Sequence, residues 1–122
     1  MIGFRRTPRA LGRRGEALAA RALRREGYAI LDRNVQLGRY EVDIIAQEGD
    51  TIAFVEVKTR RSDSVAFPED NVGQKKQHHL RQAANTYMAQ RDDPDMYYRF
   101  DVVSVLIPGW FKASITIHRN AF

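Results

Sequence analysis

Two apolar runs, VDIIA (42–46) and IAFVEV (52–57), flank the tripeptide Glu48-Gly49-Asp50. They constrain the fold of this 122-residue chain more than any other feature. Val/Ile-rich runs on either side of a turn signal are those of a β-hairpin, here expected over 36–47 and 51–60, with largely buried arms. Both arms nevertheless carry charge: Asp43 in the first, Glu56 and Lys58 in the second, within FVEVKTRR (54–61). A charge inside a largely buried strand is costly unless something compensates it, so these residues need a reason.

Side chains two apart on a strand share a face, so Phe54, Glu56 and Lys58 point one way and Val55, Val57 and Thr59 the other. Glycine first in a two-residue loop suits a type II′ turn, which sets Glu48 opposite Thr51. Asp43 then lies across from Glu56 and Glu41 across from Lys58, with Cβ atoms roughly 4.5 to 5.5 Å apart. A four-residue loop would keep all four on one face, and a three-residue loop would not. The expectation is one face carrying Glu41, Asp43, Glu56 and Lys58. Two carboxylates so placed repel unless a cation sits between them or one takes a proton. Their hard oxygens suit Mg²⁺ or Mn²⁺, and a metal there with a neighbouring lysine suits phosphodiester hydrolysis. The competing reading makes Glu56–Lys58 and Glu41–Lys58 surface ion pairs of little energetic weight. Glu-x-Lys alone favours that reading, and Asp43 across a tight turn favours the site.

Around the hairpin, residues 11–26 read as a helix ending at Gly27, with Leu11, Gly15, Leu18, Ala19, Ala22 and Leu23 on one arc and Glu16 at its edge. Residues 28–34 read as a first strand and 61–70 as a loop. A second helix is expected over 71–90, with Val72, Leu80, Ala83, Ala84, Tyr87 and Met88 on one face and Lys76 inside that arc. His78 and His79 diverge by about 100° on a helix and so do not chelate together. They read as surface residues. YYRFDVVSVLI (97–107) and FKASITIHR (111–119) are two further strands, with Trp110 a packing anchor at the turn between them. Asp101 reads as structural, paired with Arg99 or a helix N-terminus. The order αβββαββ implies an α/β fold, a mixed sheet covered by helices. Residues 1–10 read as a basic flexible arm and 11–122 as a single domain.

Residues 1–33 hold nine arginines against Glu16, Glu26 and Asp32, whereas the rest of the chain is nearly neutral. Such asymmetry fits either a footprint for a polyanion or a solvated basic surface. The absence of cysteine excludes disulfides and cysteine-based zinc sites. No stretch is apolar enough to span a bilayer, and the amino terminus lacks the apolar core of a secretory signal. A cytoplasmic location is expected.

The segments GRRGE, ALRREGYAILDRN, YEVDIIAQEGDTIAFVEVKTRR, KKQHHLRQAANTYM and YRFDVV closely resemble the YraN-like family of small bacterial proteins, over roughly Leu11 to Val105. That family looks like part of the PD-(D/E)xK nuclease superfamily and is similar to archaeal Holliday-junction resolvases. The resemblance implies a restriction-endonuclease-like core and a Mg²⁺- or Mn²⁺-dependent DNA endonuclease, with branched or flapped DNA among its candidate substrates. It implies Asp43 and Glu56 as metal carboxylates, the Val57 carbonyl as a further ligand, Lys58 as the superfamily lysine and Glu16 as a helix-borne acid near the metal. Arg13, Arg14, Arg21, Arg60 and Lys76 would bind nucleic acid. Tyr40 stands where the family usually has glycine and adds bulk beside the site. Two-strand cutting would call for a homodimer. Two other readings stay open: a nucleic-acid-binding or adaptor module without turnover, and a basic face that meets an acidic protein.

Overall fold

The computed structural model describes residues 10–61, 72–107 and 112–122. The expected arm (but for Ala10), the 61–70 loop (but for Arg61) and Trp110 lie outside the described residues. The elements follow the order α1 (Ala10–Arg25), β1 (Ala29–Leu37), β2 (Tyr40–Glu48), β3 (Thr51–Arg61), α2 (Gln74–Arg91), β4 (Tyr97–Ile107) and β5 (Ser114–His118). The five strands form one mixed sheet in sequential order, with β3 and β4 parallel and the other neighbours antiparallel. Among the described residues no helix is long and apolar enough to cross a membrane.

Each helix covers one face. Ala19, Ala20 and Leu23 of α1 pack with Ile44, Ala46, Ala53, Val55, Val103 and Val105. Leu80, Ala83, Ala84 and Tyr87 of α2 pack with Val35, Val42, Ile45, Ile52 and Phe54 on the other face. Burial on both sides explains why β2 and β3 read as near-continuous apolar runs. The end of α1 is set by Gly27 at φ 96°. Tyr28 N–H bonds to Leu23 C=O and Gly27 N–H to Arg24 C=O, the paired bonds of a Schellman cap.

Several boundaries differ from expectation, among them the start of β5 at Ser114. Gln36 and Leu37 belong to β1, not to the following arm, because Gly38 at φ 63° opens a second tight turn and sets Leu37 opposite Tyr40. The first strand accordingly runs on to Leu37. The second helix starts at Gln74, behind an extended Gly73.

Two features lock the layers together. Gly15 lies so close to β3 that an added Cβ would sit 1.9 Å from Thr59 Oγ1 and 2.9 Å from Thr59 Cβ. A β-branched side chain has little freedom to yield. Gly15→Ala is therefore expected to cost about 1–3 kcal/mol. Urea unfolding checks this, and Thr59→Ala in the same chain should recover part of the loss. The second feature is the fully buried Asp101. It accepts from Arg99 (2.9 and 3.2 Å), Tyr28 OH (2.8 Å) and Asn120 N–H (2.9 Å). Arg99 also bonds Glu48, which Arg119 holds from the other side at 2.8 and 3.0 Å. The Arg119 and Arg99 bonds hold Glu48 down at about 2, while burial and Asp101 push Tyr28 up to about 12. The Asp101–Arg99 pairing expected from sequence is present, extended to four further residues, Tyr28, Asn120, Glu48 and Arg119.

Candidate functional site

The hairpin register agrees with expectation from Glu48↔Thr51 to Ile44↔Val55, and Gly49 takes φ 61° as a type II′ loop requires. Regular pairing stops there, one step before Asp43. Asp43 instead accepts the Val57 N–H through Oδ2 at 2.9 Å, so a side chain stands in for a rung of the ladder. The N–H and C=O of one strand residue point to the same edge. The Val57 carbonyl thus faces the side where β2 has stopped pairing.

The alternation of β2 also slips at this point. Ile44 packs in the α1 cluster but Val42, two residues away, packs in the α2 cluster. Opposite them, Arg33↔Ile44 and Val35↔Val42 bracket Asn34, which is left-handed at φ 53°. This slip overturns the expected single face of four charges. Phe54 packs toward α2 and Val55 toward α1, so Glu56 and Lys58 fall on the α2 side. Glu41 instead acts electrostatically on Glu16, from α1.

Asp43 sits between two other carboxylates. Glu56 is only 9% exposed. Burial and then the Asp43 charge push it up to about 7, against the opposing pull of Lys76 and Lys58. Burial raises Asp43 as well, while the Val57 N–H, Lys76, a hydrogen bond with Glu56 and Lys58 oppose the rise. Burial and the Asp43 charge thus favour a proton on Glu56, the more strongly raised of the two. Glu16, also 9% exposed, is raised by burial, by Asp43 and by Glu41, and a hydrogen bond from Asn34 and the charge of Arg33 oppose this.

The pair is left incompletely satisfied. Glu56 Oε1 is buried without a hydrogen-bond partner. The Lys76 ammonium stands 3.7 Å from it, beyond hydrogen-bond range. Among the described residues, no three His, Cys, Asp or Glu side chains converge as a ready-made cage. The available donors are two carboxylates and the Val57 carbonyl. That set fits Mg²⁺ or Mn²⁺, which bind through one or two carboxylates and keep several waters.

The other predicted residues fall in two groups. Lys58 shares the Glu56 face, and Lys76 reaches the pair from α2 on that same side of the sheet. Arg13, Arg14 and Arg21 are exposed on α1, and Arg60 is partly exposed near the end of β3. Three neighbours escape sequence reasoning. Asn34 lies within an otherwise ordinary strand, and its one signal is that Asn tolerates a left-handed backbone. Ser104 lies opposite Lys58 in β4 with a buried, unpartnered hydroxyl. His79, read as a surface residue, stacks on Tyr40 with ring centroids 4.6 Å apart and planes 24° apart. His79 remains partly exposed, and the contact follows from the Gly38 turn, which brings Tyr40 to the α2-side core.

Residues 15–105 match the uncharacterised protein family UPF0102, a span that includes Glu16, Asn34, Asp43, Glu56, Lys58 and Lys76. A UPF0102 protein of Chlorobaculum parvum is 46% identical over 108 residues, covering 88% of this chain and 84% of that protein. One of Caldicellulosiruptor saccharolyticus is 46% identical over 115 residues, covering 93% and 98%. One of Geotalea uraniireducens is 45% identical over 98 residues, covering 80% and 77%. By the span of the family match and the level of these identities, the chain belongs to UPF0102.

Proposed function

We propose that this protein is a divalent-metal-dependent endonuclease of DNA, built on a restriction-endonuclease-like core of the PD-(D/E)xK superfamily. The observation that carries the reading is the buried Asp43–Glu56 pair with its unsatisfied Glu56 Oε1. Such a pair is costly to keep without a cation. The mixed sheet with a helix on each face and a parallel β3–β4 pair supports the fold assignment.

Asp43, Glu56 and the Val57 carbonyl would hold the metal, which supplies an acidified water and offsets charge developing on phosphorus. Where the Glu56 carboxylate served as a ligand, any proton it carries would pass to solvent. The Lys58 ammonium, on the same face, orients the attacking water or stabilises a phosphoryl oxygen. Glu16, held by Asn34 and inclined to bind a proton, takes up a proton from water or holds a second cation. Lys76 and the exposed arginines Arg13, Arg14, Arg21 and Arg60 bind flanking phosphates, with branched or flapped DNA as the favoured substrate class.

The test is incubation with linear, flapped and four-way DNA in Mg²⁺ or Mn²⁺, comparing wild type with Asp43→Ala. Metal-dependent cutting by wild type alone is expected. Cutting of none of the three, or equal cutting by the variant, rejects hydrolysis. Salt-sensitive binding without cutting would leave a non-catalytic DNA-binding module.

A further inference from the structure

The rim of the site on the α2 side is aromatic as well as basic. Tyr40 packs against the α2-side core, and the His79 ring lies stacked on it. His79 is partly exposed, and among the described residues its one other ring neighbour is the exposed His78, tilted by 57° at 6.3 Å. The two rings form a short ladder that runs outward from the core, braced at its inner end by Tyr40. Lys76, three residues before His79, is its neighbour on the helix surface, with Cβ atoms about 5–6 Å apart. That same Lys76 reaches to 3.7 Å from Glu56 Oε1. Cations gather around the ladder: partial desolvation and then Lys75, His78, Lys76 and Arg39 disfavour protonation of the His79 imidazole.

A flat ring one helical turn from a lysine matches the two ends of a nucleotide, with a phosphate on the ammonium and a base on the ring. A base stacked inside a duplex has no free face to offer, whereas an unpaired base does. We propose that His79, backed by Tyr40, is a stacking platform for one unpaired nucleobase of a strand whose backbone runs past Lys76 and the Asp43–Glu56 pair. This rests on the nuclease reading and deepens it, because it makes a single-stranded segment, a flap or a branch arm the preferred substrate over continuous duplex. The platform reads the π-face common to all bases, so it confers strand form and not sequence. A purely structural role, tying the Gly38 turn to α2, is the competing explanation.

Fluorescence anisotropy in EDTA at low salt separates the two, with three probes: oligothymidine, the same sugar–phosphate chain without bases, and a blunt duplex. Wild type is expected to bind oligothymidine more tightly than the baseless chain. His79→Ala should weaken oligothymidine binding about 5- to 100-fold and leave the baseless chain and the duplex unchanged. His79→Phe, which keeps a ring face, should retain most of the affinity. Tyr40→Leu, which keeps an apolar contact on the core, should lose part of it. Equal loss on all three probes, or a baseless chain bound as tightly as oligothymidine, overturns the platform and leaves the nuclease reading standing. No binding of any probe by wild type overturns the platform, and the nuclease reading then falls only if cutting in Mg²⁺ or Mn²⁺ fails as well.

Discussion

Asp43→Asn is expected to abolish metal-dependent cleavage and, at the same time, to stabilise the metal-free protein at alkaline pH. On the proposed nuclease reading, the loss of turnover follows from removing a charged ligand of the metal, a change of several kcal/mol in the barrier, or about 10³-fold or more in rate. The gain in stability follows from what Asp43 does without metal. Its charge is the second-largest cause, after burial, of the rise of Glu56 from 4.5 to about 7. An acid whose folded-state value is raised makes the folded protein bind more protons than the unfolded chain between those two values. Stability therefore falls as pH rises through that window, by up to about 3 kcal/mol. The introduced amide would still accept the Val57 N–H through its oxygen and would present a donor, not a second anion, to Glu56. The variant should exceed wild type by about 1–2 kcal/mol at pH 8 and converge with it at pH 5. Urea unfolding in EDTA at the two pH values measures this. A variant no more stable than wild type at pH 8 would show that the pair carries no strain.

The largest loss of stability is expected at Asp101. Asp101→Ala leaves Arg99 with one carboxylate partner in place of two, and strips the Tyr28 hydroxyl and the Asn120 N–H of their acceptor. Removing one side of a buried, hydrogen-bonded charge cluster costs about 3–5 kcal/mol. Asp101→Asn, which retains an acceptor, should cost less. The network lies on the α1 side, since Asp101 is opposite Val55, while Glu56 faces the α2 side. Cleavage per folded molecule should thus be unchanged in Asp101→Asn, which separates the clasp from the site.

How far the sequence reveals this arrangement depends on which forces write a local pattern. The hairpin around Gly49 is legible because glycine in the first loop position selects both turn and register. The Phe54/Glu56/Lys58 face follows from strand periodicity alone. Lys76 stands out as a cation within an apolar arc. The slip at Asp43 leaves no comparable trace, because a carboxylate substituting for a backbone rung changes neither hydropathy nor spacing. Extrapolating the regular register past Ile44 consequently puts Glu41 with Lys58 instead of near Glu16. The Gly38 turn escapes notice because Gly-Arg is a weaker turn signal than Asn-Gly or Asp-Gly, and with it goes the placement of Tyr40 on His79. Asn34 and Ser104 matter only through what the fold sets opposite them.

If the Asp43–Glu56 pair exchanges its shared proton for a cation, that exchange can be counted. Calorimetric titration of Mn²⁺ at pH 6, repeated in two buffers of different ionisation enthalpy, should show binding coupled to release of about one proton. At pH 8.5, above the raised Glu56 value, release should fall toward zero, and Asp43→Ala should lose the binding at both pH values. Binding that releases no proton at pH 6, or that survives intact in Asp43→Ala, would mean that these two carboxylates are not the metal site.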